Sequence, residues 1–137
     1  MSLVLGLGNP GERYALTRHN IAWLVLDVLA RRWRATPGET TTEYLSRTAV
    51  VRDRNAVLLQ PLTYMNLSGE ALAGWRERHG LELQELLVVT DDVYLPLGAL
   101  RLRTKGSSGG HRGLESIEAS LETRDYPRLR LGVGAAE

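Results

Sequence analysis

Two short apolar runs, at residues 3–7 and 86–89, constrain the fold more than any other feature of this 137-residue sequence. Each run has the length of a β-strand, and each is interrupted or followed by glycine or polar residues that end a strand. A strand that is apolar on both faces is typical of the covered interior of a parallel sheet. The two runs therefore predict buried strands at the centre of a sheet.

The rest of the chain alternates between helical and strand patterns. Apolar residues recur at helical spacing after Asn20, the expected N-cap of a first helix, and arginines follow at the end of that helix. The further predicted elements are a polar loop at residues 35–42, a hairpin at 44–52 and 56–60, a helix at 67–79, a half-exposed strand at 100–103, a glycine-rich loop at 105–113, a helix at 114–121 and a strand at 129–133. This alternation predicts an α/β fold: a single domain with a mixed, mostly parallel twisted sheet and helices on both faces.

Composition excludes several kinds of site. The chain has no cysteine, which excludes disulfides, cysteine-ligated zinc, iron–sulfur clusters and thiol nucleophiles. The three histidines, at positions 19, 79 and 111, do not have the spacing of metal ligands, so we expect neither a metal nor another cofactor. No apolar run approaches the roughly 20 residues that span a bilayer, and no signal-peptide pattern is evident. We therefore expect a soluble cytoplasmic protein that does not bind membranes.

The formal net charge of +1 conceals an uneven distribution of charge. Four cations and no acid lie between positions 101 and 112, and they are Arg101, Arg103, Lys105 and Arg112. A nearly neutral protein with one basic stretch can bind a polyanion on that side. The stretch is therefore a candidate nucleic-acid-binding surface.

Residues 6–11, with the sequence GLGNPG, match the glycine pattern of dinucleotide-binding loops. That pattern binds a pyrophosphate where a helix opens on its last glycine, whereas helical spacing here begins only near Asn20. The alternative is a tight turn, in which Pro10 fixes φ and Gly11 permits unusual backbone angles. Such a turn presents the side chain of Asn9 at the end of the first strand, and we favour this interpretation over nucleotide binding.

Four polar residues follow predicted strands or precede predicted helices, where α/β folds build their sites: Asn9, His19, Asn66 and Asp91. A histidine can take a proton from water and return it to a leaving group, and a carboxylate can fix the tautomer of that histidine. Side-chain amides can hold a peptide bond or stabilise an oxyanion. Because no serine, cysteine or lysine lies in a nucleophile motif, a hydrolase built on these residues would use water, with His19 as its base.

Each of these residues also has a simpler structural interpretation. His19 can be a capping or merely exposed histidine, and Asn66 and Ser68 can be N-caps of the following helix. Asp91 and Asp92 can both begin a turn, or one can orient a histidine while the other begins the turn. Their positions in the sequence do not decide between these alternatives.

Taken together, these segments resemble bacterial peptidyl-tRNA hydrolases. The matching stretches are GLGNPGERY (6–14), TRHN (17–20), QPLTYMNLSGEA (60–71), VVTDDVYLPLG (88–98), GSSGGHRGLESI (106–117) and RLRLGVG (128–134). Single motifs of this kind are weak, whereas the ordered set across essentially the whole chain is specific. The resemblance implies an enzyme that cleaves the ester between a peptide and the 3′-terminal ribose of tRNA, and so recycles tRNA from prematurely released peptidyl-tRNA.

The resemblance also implies roles for individual residues. His19 is the base, Asp91 orients it, and the amides of Asn9 and Asn66 position the peptide and the attacked carbonyl. Further implied residues are Tyr14 and Met65 in the pocket for the peptide and terminal adenosine, and Arg101, Arg103 and Arg130, with Lys105 of the basic stretch, along the tRNA acceptor arm. The expected partner is peptidyl-tRNA, and the expected acting form is a monomer.

Three departures from the family pattern accompany this resemblance. Arg112 stands where an asparagine is common, so it either weakens peptide binding or contacts RNA instead. Tyr94 stands where the family often has an acid. The family also continues through a further strand and terminal helices, so we expect residues 1–137 to form a single hydrolase-like domain without them. The alternative function is a noncatalytic RNA-binding module on the same scaffold.

Overall fold

In the part of the chain that the structure describes, residues 1–11 and 17–134, seven strands form one sheet and three helices cover its faces. The structure is a computed structural model. The strands are β1 (Ser2–Gly6), β2 (Thr36–Thr40), β3 (Tyr44–Val51), β4 (Arg54–Pro61), β5 (Leu86–Asp92), β6 (Leu100–Arg103) and β7 (Arg128–Gly132). The helices are α1 (Ile21–Arg32), α2 (Ser68–His79) and α3 (Arg112–Leu121), with 3-10 turns at Arg18–Asn20, Met65–Leu67 and Leu83–Glu85.

The strand order is β2-β3-β4-β1-β5-β7-β6. The four strands β4, β1, β5 and β7 pair in parallel, and β3 and β6 run antiparallel to their neighbours. Because β2 is antiparallel to β3, it runs in the same direction as the four parallel strands. The prediction of a mixed, mostly parallel sheet is therefore confirmed, and the two apolar runs form neighbouring central strands, β1 and β5.

The sheet separates two apolar cores, because successive side chains of a strand point to opposite faces. Leu3 and Leu5 of β1 pack in a core with Trp75 of α2, whereas Val4 packs in the other core with Leu26 of α1. Helix α3 shares the first core through the predicted residues Leu114, Ile117 and Leu121. Helices therefore lie on both faces, and the N-termini of all three helices lie near the carboxyl ends of the parallel strands.

Two local expectations were wrong, and both concern edges of the sheet. Residues Thr36–Thr40 form edge strand β2 rather than a loop, and most of their side chains are exposed, so no apolar alternation marks the strand. Strand β6 was expected to be half-exposed, yet Leu100 and Leu102 are 68% and 60% exposed. The reason is that β6 is the last strand of the sheet, while α1 lies over β4, β1 and β5.

Gly69, in the first turn of α2, marks a point where two helices meet through their backbones. A Cβ atom there would lie 2.1 Å from the carbonyl oxygen of Ser116 in α3. The amide of Gly69 donates a hydrogen bond to the hydroxyl of Ser116 at 2.8 Å. This contact brings the start of α2 against the middle of α3 and leaves no room for a side chain.

We predict that Gly69→Ala lowers the free energy of unfolding by about 3 kcal/mol, because backbone must move to admit the methyl group. The matched control is Gly74→Ala on the same helix, where the new Cβ would lie 3.1 Å from the movable carboxylate of Glu43 and in ordinary contact with the ring of Tyr44, at 3.9 Å. Higher helix propensity should leave that variant as stable as the parent or more stable, by up to about 1 kcal/mol. Urea unfolding followed by circular dichroism measures both, and equal midpoints for the two variants would contradict the contact.

Candidate active site

The polar residues singled out in the sequence meet at the carboxyl ends of β1 and β5, where a pocket of about 630 Å³ opens. The predicted site residues that line it are Asn9, His19, Met65, Asn66, Asp91, Arg112 and Arg130. Tyr14, which the resemblance also placed there, lies outside the described residues. Parallel strands of α/β folds build sites at this edge because their loops converge there.

The centre of the pocket is a hydrogen bond between His19 and Asp91. The Nδ1 atom of His19 lies 2.9 Å from Oδ2 of Asp91. The carboxylate side chain is 5% exposed, since it belongs to β5, whereas the imidazole is 48% exposed in the 3-10 turn before α1. Because a carboxylate only accepts, Nδ1 carries the proton, and Nε2 is left to accept a proton from a bound molecule. This is the geometry of an oriented general base.

Asp92 has a different role from its neighbour. Its Oδ1 accepts a hydrogen bond from the backbone amide of Tyr94 at 2.8 Å, and its Oδ2 lies 3.5 Å from a guanidinium nitrogen of Arg130. Asp92 therefore begins the turn after β5, as an Asx turn does. Position in the sequence did not divide these two functions between the aspartates, and the resemblance assigned the histidine to Asp91; of the two, Asp91 is the one that contacts His19.

His111, to which the sequence analysis gave no function, lies against the other oxygen of the same carboxylate. Its Nε2 is 2.9 Å from Oδ1 of Asp91 and 2.9 Å from the hydroxyl of Thr90. Its Nδ1 accepts hydrogen bonds from the amides of Gly113 and Leu114, so the ring is the N-cap of α3. Since amides only donate, Nδ1 is unprotonated, and Nε2 carries the proton that Asp91 accepts. Its place just before a helix was the available signal, but histidine is not among the preferred capping residues.

Burial and the two imidazoles act in opposite directions on Asp91. Burial by itself raises the pKa of this carboxyl, but hydrogen bonds and charge interactions with His111 and His19 outweigh it and hold the pKa below its usual value. The carboxylate is therefore ionised at neutral pH. Because the pKa is depressed in the folded state, Asp91 stabilises the fold at neutral pH and loses that effect as the pH falls through the depressed pKa.

Asn9 presents a side-chain amide to the pocket in a fixed orientation. Its Oδ1 accepts a hydrogen bond from the amide of Met65 at 2.7 Å, so the two N–H groups on Nδ2 point elsewhere. Among the described residues they have no hydrogen-bond partner. The backbone of Asn9 bonds to the side chain of Asn20, which occupies the N-cap position of α1 but makes no capping bond, contrary to the prediction.

The turn before α2 carries the second predicted amide. Asn66 is exposed in the Met65–Leu67 turn and lines the pocket. Neither Asn66 nor Ser68 caps α2, because the Ser68 hydroxyl donates to the carbonyl of Met65 at 2.7 Å, and the α2 amide of Gly69 bonds to Ser116 instead. The capping interpretation of these residues is therefore wrong, and the amide of Asn66 remains available to a ligand.

The predicted cationic residues divide into two groups. Arg130 is half-buried, and its guanidinium donates to the carbonyls of Ser107 and Ser108 at 3.2 Å each, so it holds the glycine-rich loop beside the pocket. Arg101 pairs with Arg130 across β6 and β7, which places both side chains on one face of the sheet. Arg101, Arg103 and Lys105 are exposed along the β6 edge, outside the pocket.

Arg112 begins α3 at the rim of the pocket, next to Asn66. It is exposed and has no hydrogen-bond or ion-pair partner among the described residues. The histidines, the carboxylates and the second arginine of the pocket bond to one another or to the backbone: His19, His111, Asp91, Asp92 and Arg130. Arg112 is therefore the cation of this rim that a bound oxyanion can reach without displacing a contact within the protein.

Residues 1–11 and 17–134 contain neither a cluster of metal-ligating side chains nor a membrane-spanning helix. No group of three or more histidine, aspartate or glutamate side chains there is arranged to hold a metal ion. No helix in the same ranges is long and apolar enough to cross a membrane.

Comparison with known proteins places the chain in a family. Residues 3–137 match the family model described as peptidyl-tRNA hydrolase. The chain belongs to the peptidyl-tRNA hydrolase family. The peptidyl-tRNA hydrolase of Gemmatimonas aurantiaca is 46% identical over 134 residues, which are 97% of this chain and 70% of that protein. The enzyme of the same name from Bacillus cytotoxicus is 44% identical over 133 residues, or 97% of this chain and 72% of that protein.

Solved structures of the family have the same fold. The peptidyl-tRNA hydrolase of Acinetobacter baumannii superposes with a TM-score of 0.92 at 33% sequence identity, covering 99% of this chain and 69% of that one. The predicted fold class is thereby confirmed at the level of the whole architecture. The chain spans about 70% of the length of these relatives.

We predict that the two histidines beside Asp91 adopt opposite neutral tautomers. His19 should carry its proton on Nδ1, which faces the carboxylate, and His111 on Nε2, because α3 amides occupy its Nδ1. Long-range ¹H–¹⁵N correlation spectra of the imidazoles distinguish the tautomers directly. Assignment comes from His19→Ala and His111→Ala, each of which should remove one set of signals, and an Nδ1–H form of His111 would contradict the geometry.

Proposed function

We propose that the chain hydrolyses the ester bond between the peptide and the tRNA of peptidyl-tRNA, using water that His19 activates. The observation that carries this proposal is the 2.9 Å hydrogen bond to Asp91 that orients His19 in a pocket also lined by the amide side chains of Asn9 and Asn66. Membership in a family whose named relatives are peptidyl-tRNA hydrolases supports catalysis. It does not support the noncatalytic RNA-binding alternative.

The proposed reaction needs one base and one amide donor. Nε2 of His19 takes a proton from water as the water oxygen attacks the ester carbonyl, and the ionised Asp91 stabilises the imidazolium that forms. The Nδ2 group of Asn9 donates to the oxyanion that develops on the carbonyl oxygen. The imidazolium then returns the proton to the departing 3′-oxygen of the ribose. An ester has a better leaving group than an amide, so no covalent intermediate and no cofactor are required.

The proposed peptide-binding residues are Met65, Asn66 and Arg112, on the side of the pocket formed by α2 and α3. Neutral amides there suit the peptide bond next to the ester, whereas a free aminoacyl-tRNA would bring an α-ammonium that is costly to desolvate against neutral donors. Arg112 would bind an oxyanion of the substrate at the rim. Tyr14, implied by the resemblance, remains a prediction for this side of the site.

The proposed tRNA surface is the β6 edge, where Arg101, Arg103 and Lys105 are exposed. Arg130 lies between this edge and the pocket, so its proposed partner is a phosphate near the 3′ end. Contacts to phosphate carry no sequence information, which suits an enzyme that must accept many tRNAs. Because one chain supplies every proposed group, we propose that it acts as a monomer, in the cytoplasm, where ribosomes release peptidyl-tRNA.

We predict that His19→Ala lowers the single-turnover rate of deacylation of an N-acetylated aminoacyl-tRNA by about 10³-fold, because the general base is lost. The matched control is His79→Ala, which removes a half-exposed ring at the end of α2, where it stacks on Trp75 and bonds to Glu39. The control should keep the parent rate. A His19→Ala rate equal to that of the parent would refute the proposed base.

We predict that Arg101→Ala combined with Arg103→Ala weakens tRNA binding and makes the negative slope of log affinity against log salt concentration shallower by about 2, one for each lost phosphate contact. The charge-matched control is Arg31→Ala with Arg32→Ala, at the end of α1 remote from the pocket. Filter binding at several salt concentrations measures both slopes. An unchanged slope for the β6 pair would place the tRNA surface elsewhere.

A further inference from the structure

Asn20 is a buried polar residue to which the reaction described above gives no function. It is 2% exposed, does not line the pocket and does not cap α1. Its side chain bonds instead to Asn9, and to no other of the described residues: Oδ1 accepts from the backbone amide at 2.8 Å, and Nδ2 donates to the carbonyl oxygen at 2.9 Å. One side chain thereby holds the backbone of Asn9 on both sides of its Cα atom, as a neighbouring β-strand would.

We propose that Asn20 is a positioning residue that sets the separation between the base and the amide that meets the reacting carbonyl. His19 and Asn20 are consecutive residues of one 3-10 turn. The side chain of His19 bonds to Asp91, and the side chain of Asn20 bonds to the backbone of Asn9. The turn therefore links the two groups rigidly, and the inference rests on the proposed functions of His19 and Asn9.

The loop that carries Asn9 packs closely against the start of α1. A Cβ atom on Gly8 would lie 2.5 Å from the ring of Trp23 and 2.8 Å from Oδ1 of Asn20. The indole of Trp23 donates to the carbonyl of Gly6 at 3.0 Å, one turn further along α1. Gly8, one of the glycines that imitate a dinucleotide-binding loop, thus allows the start of α1 to lie directly on the loop that carries Asn9.

With the backbone of Asn9 held, the two torsions of its side chain remain to be fixed, and the hydrogen bond from Met65 restricts them. The amide of Met65 bonds to Oδ1 of Asn9 at 2.7 Å, while Asn20 fixes the backbone, so the N–H groups of Nδ2 have one direction. A donor held in this way stabilises an oxyanion without reorganising during the reaction. Removal of Asn20 would leave the donor present but loosely placed.

The test is a double-mutant cycle of Asn9→Ala and Asn20→Ala, measured by single-turnover deacylation of an N-acetylated aminoacyl-tRNA over a range of enzyme concentrations. Asn20→Ala should lower the maximal rate about 10-fold to 100-fold, the order of loss that misplacement by about 1 Å causes. The enzyme concentration for half-maximal rate should stay the same. In the Asn9→Ala background the same change should have little further effect, because the group it positions is absent.

Two further variants separate positioning from folding. Asn20→Asp keeps the shape of the side chain and the oxygen that accepts from the amide of Asn9, but it replaces the Nδ2 donor with an oxygen that repels the carbonyl of Asn9. This variant should fold and should lose maximal rate as Asn20→Ala does. Leu121→Ala, at the far end of α3, removes core volume and should lower the unfolding midpoint with no loss of maximal rate.

The outcomes distinguish the inference from the function on which it rests. A parent enzyme that does not deacylate the substrate would refute the proposed function. An active parent in which the Asn9 and Asn20 losses multiply, or in which Asn20→Ala and Asn20→Asp keep the parent rate, would overturn the inference alone. Loss of maximal rate in Leu121→Ala equal to that in Asn20→Ala would also overturn it, by tracing the effect to stability.

Discussion

The carboxylate of Asp91 binds two imidazoles at once, and the arrangement of the site depends on this shared contact. One oxygen faces Nδ1 of His19 and the other faces Nε2 of His111, each at 2.9 Å. Because amides of α3 occupy the other nitrogen of His111, that ring donates to the carboxylate and leaves it charged. A single buried group thus joins β5, the turn before α1 and the start of α3, and keeps a negative charge beside the proposed base.

The parts of the fold that bury side chains were predictable from the sequence. Apolar patterns mark strands β1 and β5 and the helices, because the faces of these elements that are buried in the two cores carry apolar side chains. Strand β2 gave none, since Thr36–Thr40 pairs through its backbone with β3 and exposes most of its side chains. In β6 the pattern was present but the burial was not. Leucines alternate with arginines along this strand, which predicts a face of leucines, yet none of the described elements covers that face and Leu100 and Leu102 are exposed.

The site was predictable where the family motif names a residue and unpredictable where a contact joins distant parts of the chain. Asn9, His19 and Asp91 come together as the resemblance implied. Position alone left open whether Asp91 or Asp92 faces the histidine, since both follow the same apolar run, and only the resemblance assigned Asp91. The contact between His111 and Asp91 and the clamp of Asn20 on Asn9 were not predicted, because they join residues 20 and 11 positions apart in the sequence.

The most direct test of the central contact compares Asp91→Asn with Asp92→Asn in single-turnover deacylation of an N-acetylated aminoacyl-tRNA. Asparagine at position 91 keeps the shape but removes the charge that orients His19, so the rate should fall about 10²-fold to 10⁴-fold. Asparagine at position 92 keeps an oxygen for the amide of Tyr94 and should retain most of the rate. A larger loss at position 92, or no loss at position 91, would contradict the account.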